Sequence, residues 1–223
     1  GQSLWLDQIT RQMLDDGTLR RYRDELSITG LTSNPTIFDD AIGKSAAYDA
    51  GIRAKAKAGT CGEALFLELA LEDLRRAATL FRPIFDATAG VDGWVSMEVS
   101  PLLANDTAGS IEAASRIYKQ ADRTNLFVKI PGTPEGIPAI EESIFAGVPI
   151  NVTLVFSREQ YLAAAEAYLR ALERRIAAGL DPRVASVNSL FVSGWDRAVA
   201  DKVPPDLRNR LGIAIAKRTY RAY

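Results

Sequence analysis

Strand-length apolar runs alternate with longer stretches of helical period along the whole chain, and no other feature constrains its fold as much. The runs lie at 3–9, 28–34, 93–100, 126–131, 149–156 and 184–192. Between them, residues 64–85 and 157–178 repeat apolar side chains at the three-to-four spacing of a helix with one buried face. The helix boundaries carry their own signals. Ser157 followed by Gln160 is a capping box, and Asn34-Pro35 and Thr133-Pro134 each set a capping side chain before a proline suited to the first helical position. Gly90, Gly147 and Gly179 stand where helices should stop. Strands alternating with helices through short loops predict a parallel α/β sheet, open or closed. A last helix is predicted at about 205–222, with no strand after it, so a closed eight-stranded barrel would need two more strands. No Pro/Gly/Ser-rich linker divides the chain, and residues 1–223 read as one domain.

Side chains alternate faces along a strand, so the apolar parity identifies the face turned to the helices. Leu4 and Leu6, then Val95, Met97 and Val99, then Leu126, Val128 and Ile130, then Val152 and Leu154 are predicted to face the helices. In the second run Leu31 opposes Thr32 and Asn34, although Ser33 interrupts the pattern. The same rule sends Asp7, Thr32, Asn34, Glu98, Lys129, Asn151 and Thr153 to the opposite face. Most of them sit late in their strands, at the carboxyl end where parallel α/β proteins bind ligands.

Lys129 is the pointed case, a lone lysine inside "LFVKIP". A buried, charged, unpaired lysine is very costly, so it must be paired, neutral or functional. A neutral amine is a nucleophile that adds to a ketone to form a Schiff base, whose iminium then draws electrons from a breaking carbon–carbon bond. A neighbouring carboxylate would move the protons. A structural ion pair of Lys129 with Glu98 or Asp7 would satisfy the same pattern.

Composition narrows the chemistry. The 223 residues include no histidine and one cysteine, Cys61. Cys–His and Ser–His machinery, an intrachain disulfide framework and multi-cysteine zinc sites are therefore excluded, and the commonest transition-metal ligand is missing. With 27 basic against 28 acidic residues and no long basic block, no nucleic-acid footprint is expected. No apolar run reaches the roughly 18 residues of a membrane span, so no membrane partner is expected. No signal peptide is visible, and a cytoplasmic setting is the expectation. "DTAGSIEAA" (106–114) is only faintly like a phosphate-binding loop and reads as a capped helix start.

Several motifs in order carry a family resemblance: "GQSLWLDQI" (1–9), "GLTSNPTIF" (30–38), "VSMEV" (95–99), "FVKIPGT" (127–133) and "INVTLVFS" (150–157). They resemble the transaldolases, in particular the bacterial branch that includes fusions to glucose-6-phosphate isomerase. The resemblance runs from the first residue to about 193 and then weakens. It implies a (β/α)8 TIM barrel, of which about six βα units are present here. It also implies a metal-free, cofactor-independent class I mechanism. The reaction implied is transfer of a dihydroxyacetone unit from sedoheptulose 7-phosphate to glyceraldehyde 3-phosphate, with sugar phosphates as the partners.

By motif match, Lys129 is the Schiff-base lysine. Glu98 is the general acid/base acting through a water held with Thr153, and Asp7 handles the substrate hydroxyl proton. Asn34 and Asn151 hydrogen-bond the dihydroxyacetone hydroxyls, Thr32 lies in the same shell, and Ser189 stands near the substrate's upper end. The sequence departs from the family at "FVSGWD" (191–196), where Gly194 stands in place of a phosphate-binding arginine and Arg197 is offset by three residues. With two strands fewer than the family's barrel, the sequence is expected to be a fragment or the ordered part of a longer chain. Two other readings stay open: a lysine aldolase releasing free dihydroxyacetone, and a truncated inactive relative acting as a binding or scaffold protein.

Overall fold

The computed structural model describes residues 2–223, so Gly1 of the opening motif lies outside the described residues. In chain order the elements are β1 (Leu4–Leu6), α1 (Arg11–Asp15), α2 (Thr18–Glu25), β2 (Ile28–Leu31), α3 (Pro35–Lys44), α4 (Asp49–Lys57), α5 (Gly62–Ala87) and β3 (Val95–Glu98). They continue with α6 (Thr107–Ala121), β4 (Leu126–Pro131), α7 (Gly136–Phe145), β5 (Ile150–Val155), α8 (Arg158–Ala177), β6 (Ser186–Leu190), α9 (Ser193–Val199) and α10 (Leu211–Tyr220). All six apolar runs are strands, and the fold is α/β with parallel strands in sequence order. The contacts divide the chain into two compact units. The first runs to Ser100 and takes in Arg116–Val128; the second comprises Pro101–Ser115 and Lys129–Tyr223. Helix α6 and strand β4 each have residues in both units.

In the first unit, β1, β2, β3 and the start of β4 follow one another, with Leu31 opposite Val95. The long helix α5 buries Leu69, Leu74, Ala77, Ala78 and Phe81 along one face. Pro83 lies inside that helix and costs about 3 kcal/mol there. Complete burial of Phe81 and Leu74 contributes about 1.5–3 kcal/mol each, which is enough to offset it.

An aromatic stack joins β1 and β4 to the residue just before β3. The ring centroids of Trp94 and Phe127 are 4.0 Å apart, and those of Trp5 and Phe127 are 6.1 Å apart. Gly30 makes room for it: a Cβ there would meet the Trp5 ring at 2.8 Å. The Trp5 indole N–H donates to Asp92 at 2.9 Å. Burial pushes the Asp92 carboxyl up, but hydrogen bonds from Ser3, Thr29, Trp5 and Gly93 outweigh it and hold the group below the usual aspartate value.

Polar side chains staple α1, α4 and the turn before α4 to α5. Arg11 pairs with Asp73 at 2.8 Å and Glu72 at 3.0 Å, and Lys55 pairs with Glu68 and Glu72. The Tyr48 hydroxyl donates to Asp73 at 2.7 Å and accepts from the Arg11 backbone N–H at 2.9 Å. Burial raises the Asp73 carboxyl above its usual range, and hydrogen bonds from Tyr48 and Arg11 only partly offset it. Removing one partner of a buried pair leaves the other uncompensated. Asp73→Ala is therefore expected to lower stability by about 3–5 kcal/mol in denaturant titration. A loss under about 1 kcal/mol would mean that Arg11 finds another partner.

In the second unit, the end of β4 is followed by β5 and β6. Helix α7 is clamped to α8 by Arg174 with Glu141 and Glu142, and by Arg170 with Glu141. The predicted cap at Ser157 forms. Ser157 Oγ accepts from the Gln160 N–H at 3.1 Å, and Gln160 Oε1 accepts from the Phe156 N–H at 2.8 Å. At Thr133-Pro134 the expectation fails in register: Thr133 Oγ1 accepts from the Gly136 N–H at 2.9 Å, but the helix begins at Gly136 with Glu135 as its N-cap, and Pro134 lies in the turn before it. Asp106 accepts from the Gly109 N–H, as expected for a capped helix start.

Three further expectations need correction. Leu154 is not packed beneath the helices: it is 38% exposed with φ at 55°, and Val155 is buried instead. The β5–β6 register shifts between Val152 and Val155, so an irregularity at this point breaks the alternation. Leu4 is 51% exposed because its short strand ends the order and has a neighbour on one side only. The final helix runs Leu211–Tyr220, not 205–222. Pro205–Leu207 forms a separate 3-10 turn, and Asn209 at φ 58° breaks the helical path between them.

Candidate functional site

Each unit carries its own part of the predicted residue set. In the first, β1 stops at Leu6, and Asp7 follows with an exposed side chain. The parity rule had placed it inside. Its strand is three residues long and gives it no further sheet to be buried against. Asp7 instead lines a cleft of about 410 Å³ with Gln8, Thr10, Ile37 and Lys44.

Thr32 extends β2 by one step, its N–H donating to the Leu6 carbonyl at 2.8 Å. Its hydroxyl is buried and has no hydrogen-bond partner among the described residues, which marks a polar group available to a ligand. Asn34 caps α3, with Oδ1 accepting from the Ile37 N–H at 2.9 Å. Capping commits the amide oxygen and leaves the NH2 edge as the donor Asn34 can offer. Glu98 is the last residue of β3 and is half-buried.

Ser33 was not among the predicted site residues. It is fully buried, and its hydroxyl donates to the Ser96 carbonyl at 2.7 Å, tying the exit of β2 to β3 two residues before Glu98. The available signal was a serine at a parity position where an apolar residue was expected.

In the second unit, Lys129 lies in β4, all six residues of which are buried, and is itself 4% exposed. Asn151 and Thr153 share one parity of β5 and are each 1% exposed. The Thr153 carbonyl accepts from the Gly132 N–H at 2.7 Å, which joins the end of β4 to β5. On β6, the Ser189 hydroxyl donates to Asn151 Oδ1 at 2.8 Å. Asn151 and Ser189, separated by 38 residues, are thus brought into contact.

Just beyond β6 the surface is aromatic. Phe156 and Phe191 lie 5.4 Å apart, and the Trp195 indole donates to the Phe156 carbonyl at 2.9 Å. Gly194 is in the first turn of α9, where an added Cβ would meet nothing within 4 Å. Arg197 is exposed.

Chemically, an amine on β4 and amide and hydroxyl groups on β5 and β6 are the group types that suit a carbonyl substrate carrying hydroxyls. In the first unit, Asp7 and Glu98 are carboxylates of the kind that move protons. Among the described residues no group of three or more His, Cys, Asp or Glu side chains is arranged to hold a metal ion. No helix among them is long and apolar enough to cross a membrane.

Comparison with known proteins gives a consistent picture. The family described as Transaldolase/Fructose-6-phosphate aldolase matches residues 4–223, so the similarity extends past residue 193 to the last residue. Transaldolase 2 of Nostoc punctiforme is 39% identical over 240 aligned positions, covering 100% of this chain and 63% of that protein. The transaldolase of Thiobacillus denitrificans is 42% identical, with 100% of this chain and 64% of that protein covered. The transaldolase of Saccharopolyspora erythraea is also 42% identical, with 100% and 62% covered. The chain thus spans less than two thirds of the length of these relatives.

Proposed function

The chain belongs to the transaldolase/fructose-6-phosphate aldolase family, and from that premise we propose that Lys129 forms a Schiff base with a ketose phosphate and transfers its dihydroxyacetone unit to an aldehyde. The donor is sedoheptulose 7-phosphate and the acceptor glyceraldehyde 3-phosphate. The observation that carries this reading is the burial of Lys129 within a strand whose every residue is buried. Burying an amine is costly, so one held at such a position is paired, neutral or functional.

The roles are those that the family resemblance implies. The Lys129 amine adds to the donor ketone, and loss of water gives the iminium. Asp7 takes the proton of the hydroxyl on the second carbon from the iminium carbon, the bond between that carbon and the intervening one breaks, the far fragment leaves as an aldehyde, and the electron pair enters the iminium as an enamine. The enamine attacks the acceptor aldehyde, and hydrolysis frees the product. Glu98 moves protons during formation and hydrolysis of the Schiff base. Asn34, Asn151 and Thr32 hydrogen-bond the hydroxyls of the three-carbon unit. A cytoplasmic setting goes with this reading, since its substrates are freely diffusing sugar phosphates.

The test is to incubate the purified protein with fructose 6-phosphate, add borohydride and weigh it. A reduced adduct mapped to Lys129 is expected, and an unmodified protein would overturn the reading. Release of free dihydroxyacetone, with no transfer to an added aldehyde, would assign the aldolase reaction instead.

The phosphate end gives a separate prediction. Space around Gly194 admits a longer side chain. Gly194→Arg is expected to lower KM for fructose 6-phosphate about tenfold, the effect of one hydrogen bond to a charged group. An unchanged KM would mean that this turn does not face the phosphate.

A further inference from the structure

We propose that Thr133 is a positioning residue which, with Thr107, clasps the turn that leaves β4 and so fixes where Lys129 stands for its attack on the ketone. The proposal rests on the Schiff-base reading above. Every residue it uses lies in the second unit.

The clasp is reciprocal. The Thr133 hydroxyl donates to the Ala104 carbonyl at 2.6 Å, and the Thr107 hydroxyl donates to the Glu135 carbonyl at 2.7 Å. Each segment gives one hydroxyl and takes one, across 29 and 28 residues of sequence. Two bonds in opposite directions fix the angle between the segments as well as their distance. Thr133 Oγ1 also accepts from the Gly136 N–H, so its one donor and one of its acceptor sites are committed to the backbone. The turn it closes is tight, since a Cβ at Gly136 would run into the Pro131 carbonyl.

The same turn is tied to β5 by the Gly132 N–H, which donates to the Thr153 carbonyl at 2.7 Å. The chain from Pro131 to Gly136 is thus held to β5 and to the segment 104–107 at once, beginning two residues past Lys129. A lysine amine rides on a flexible four-carbon stem, so its placement depends on the strand that carries it. Displacing a reacting group by about 1 Å can cost about 10²-fold in rate. Both threonine hydroxyl protons are committed to carbonyls of the chain, so these residues act through the backbone and not on the substrate.

The experiment follows the rate of borohydride-trapped adduct formation against fructose 6-phosphate concentration, together with thermal unfolding. The proteins compared are wild type, Thr133→Val, Thr107→Val, the double variant and Thr133→Ser. Valine keeps the branched shape of threonine and removes the hydroxyl. Thr133→Val is expected to lower the saturating rate about tenfold and leave the half-saturating concentration within about twofold. Thr107→Val is expected to lower that rate about threefold, and the double variant about tenfold, because a clasp already opened has little left to lose. Thr133→Ser keeps the hydroxyl and is expected to trap within about twofold of wild type.

A lower unfolding temperature with an unchanged saturating rate would reduce the clasp to a structural tie and overturn the role. A raised half-saturating concentration at an unchanged saturating rate would move Thr133 to substrate binding and overturn it too. Losses that multiply to about thirtyfold in the double variant would mean two independent bonds and no joint clasp. If Thr133→Val does not fold, Thr107→Val decides, since it leaves the Thr133 bonds in place: a wild-type rate there overturns the role. Absence of adduct in the wild type overturns the Schiff-base reading and this role together, whereas a normal wild type with an unaffected Thr133→Val overturns this role alone.

Discussion

Lys129→Met is expected to abolish the borohydride-trapped adduct while leaving the protein folded. Methionine matches the unbranched lysine stem and carries no amine, and it adapts to irregular core space better than other apolar residues. The position is 4% exposed, so the substitution trades a buried polar head for a buried thioether. A volume-conserving exchange of this kind typically costs less than about 1.5 kcal/mol, so thermal unfolding should still be cooperative. The loss of adduct should be complete, because no other group at this point of β4 can form an imine. An adduct that persists on the Lys129→Met protein would place the reacting amine elsewhere, and peptide mapping would then identify it.

Glu98→Gln carries the second large effect. Glutamine keeps the size and hydrogen-bonding reach of the glutamate but cannot exchange a proton near neutral pH. Turnover of sedoheptulose 7-phosphate with glyceraldehyde 3-phosphate is expected to fall by about 10²–10⁴-fold, the usual contribution of a positioned acid/base. The Lys129 amine is untouched, so adduct should still be trapped after long incubation. The two variants thus separate the nucleophile from the proton carrier: one removes the adduct outright, the other slows turnover and leaves the adduct attainable. An unchanged turnover in Glu98→Gln would remove this residue from the acid/base role.

Burial at the singled-out strand positions and the cap at Asn34 were legible because strand parity and helix caps are local. The parity that picked Lys129 from "LFVKIP" also picked Asn151 and Thr153, and all three are buried at strand positions. Asn34 was legible as a cap from its place before Pro35, and its amide oxygen performs that capping. Parity misled at Asp7 and Leu154 for different reasons. Asp7 lies past the end of a three-residue strand, where alternation no longer fixes a direction. Leu154 sits at the irregularity in β5, which adds a step that no periodicity reveals. The match through residue 223 was also hidden from reading by motif, since the end of the chain carries similarity without a quotable signature.

The sequence by itself determined the order of the strands, the helix starts at Asn34 and Ser157 and the identity of the buried amine. Each of these depends on propensity, period or capping within a few residues. Only the tertiary structure decided that Trp5 lies over Gly30, that Arg11 and Tyr48 converge on Asp73, and that Ser189 holds Asn151. Those contacts join residues 25 to 62 positions apart. They depend on which strands become neighbours and in what register, and the packing of the whole unit sets that.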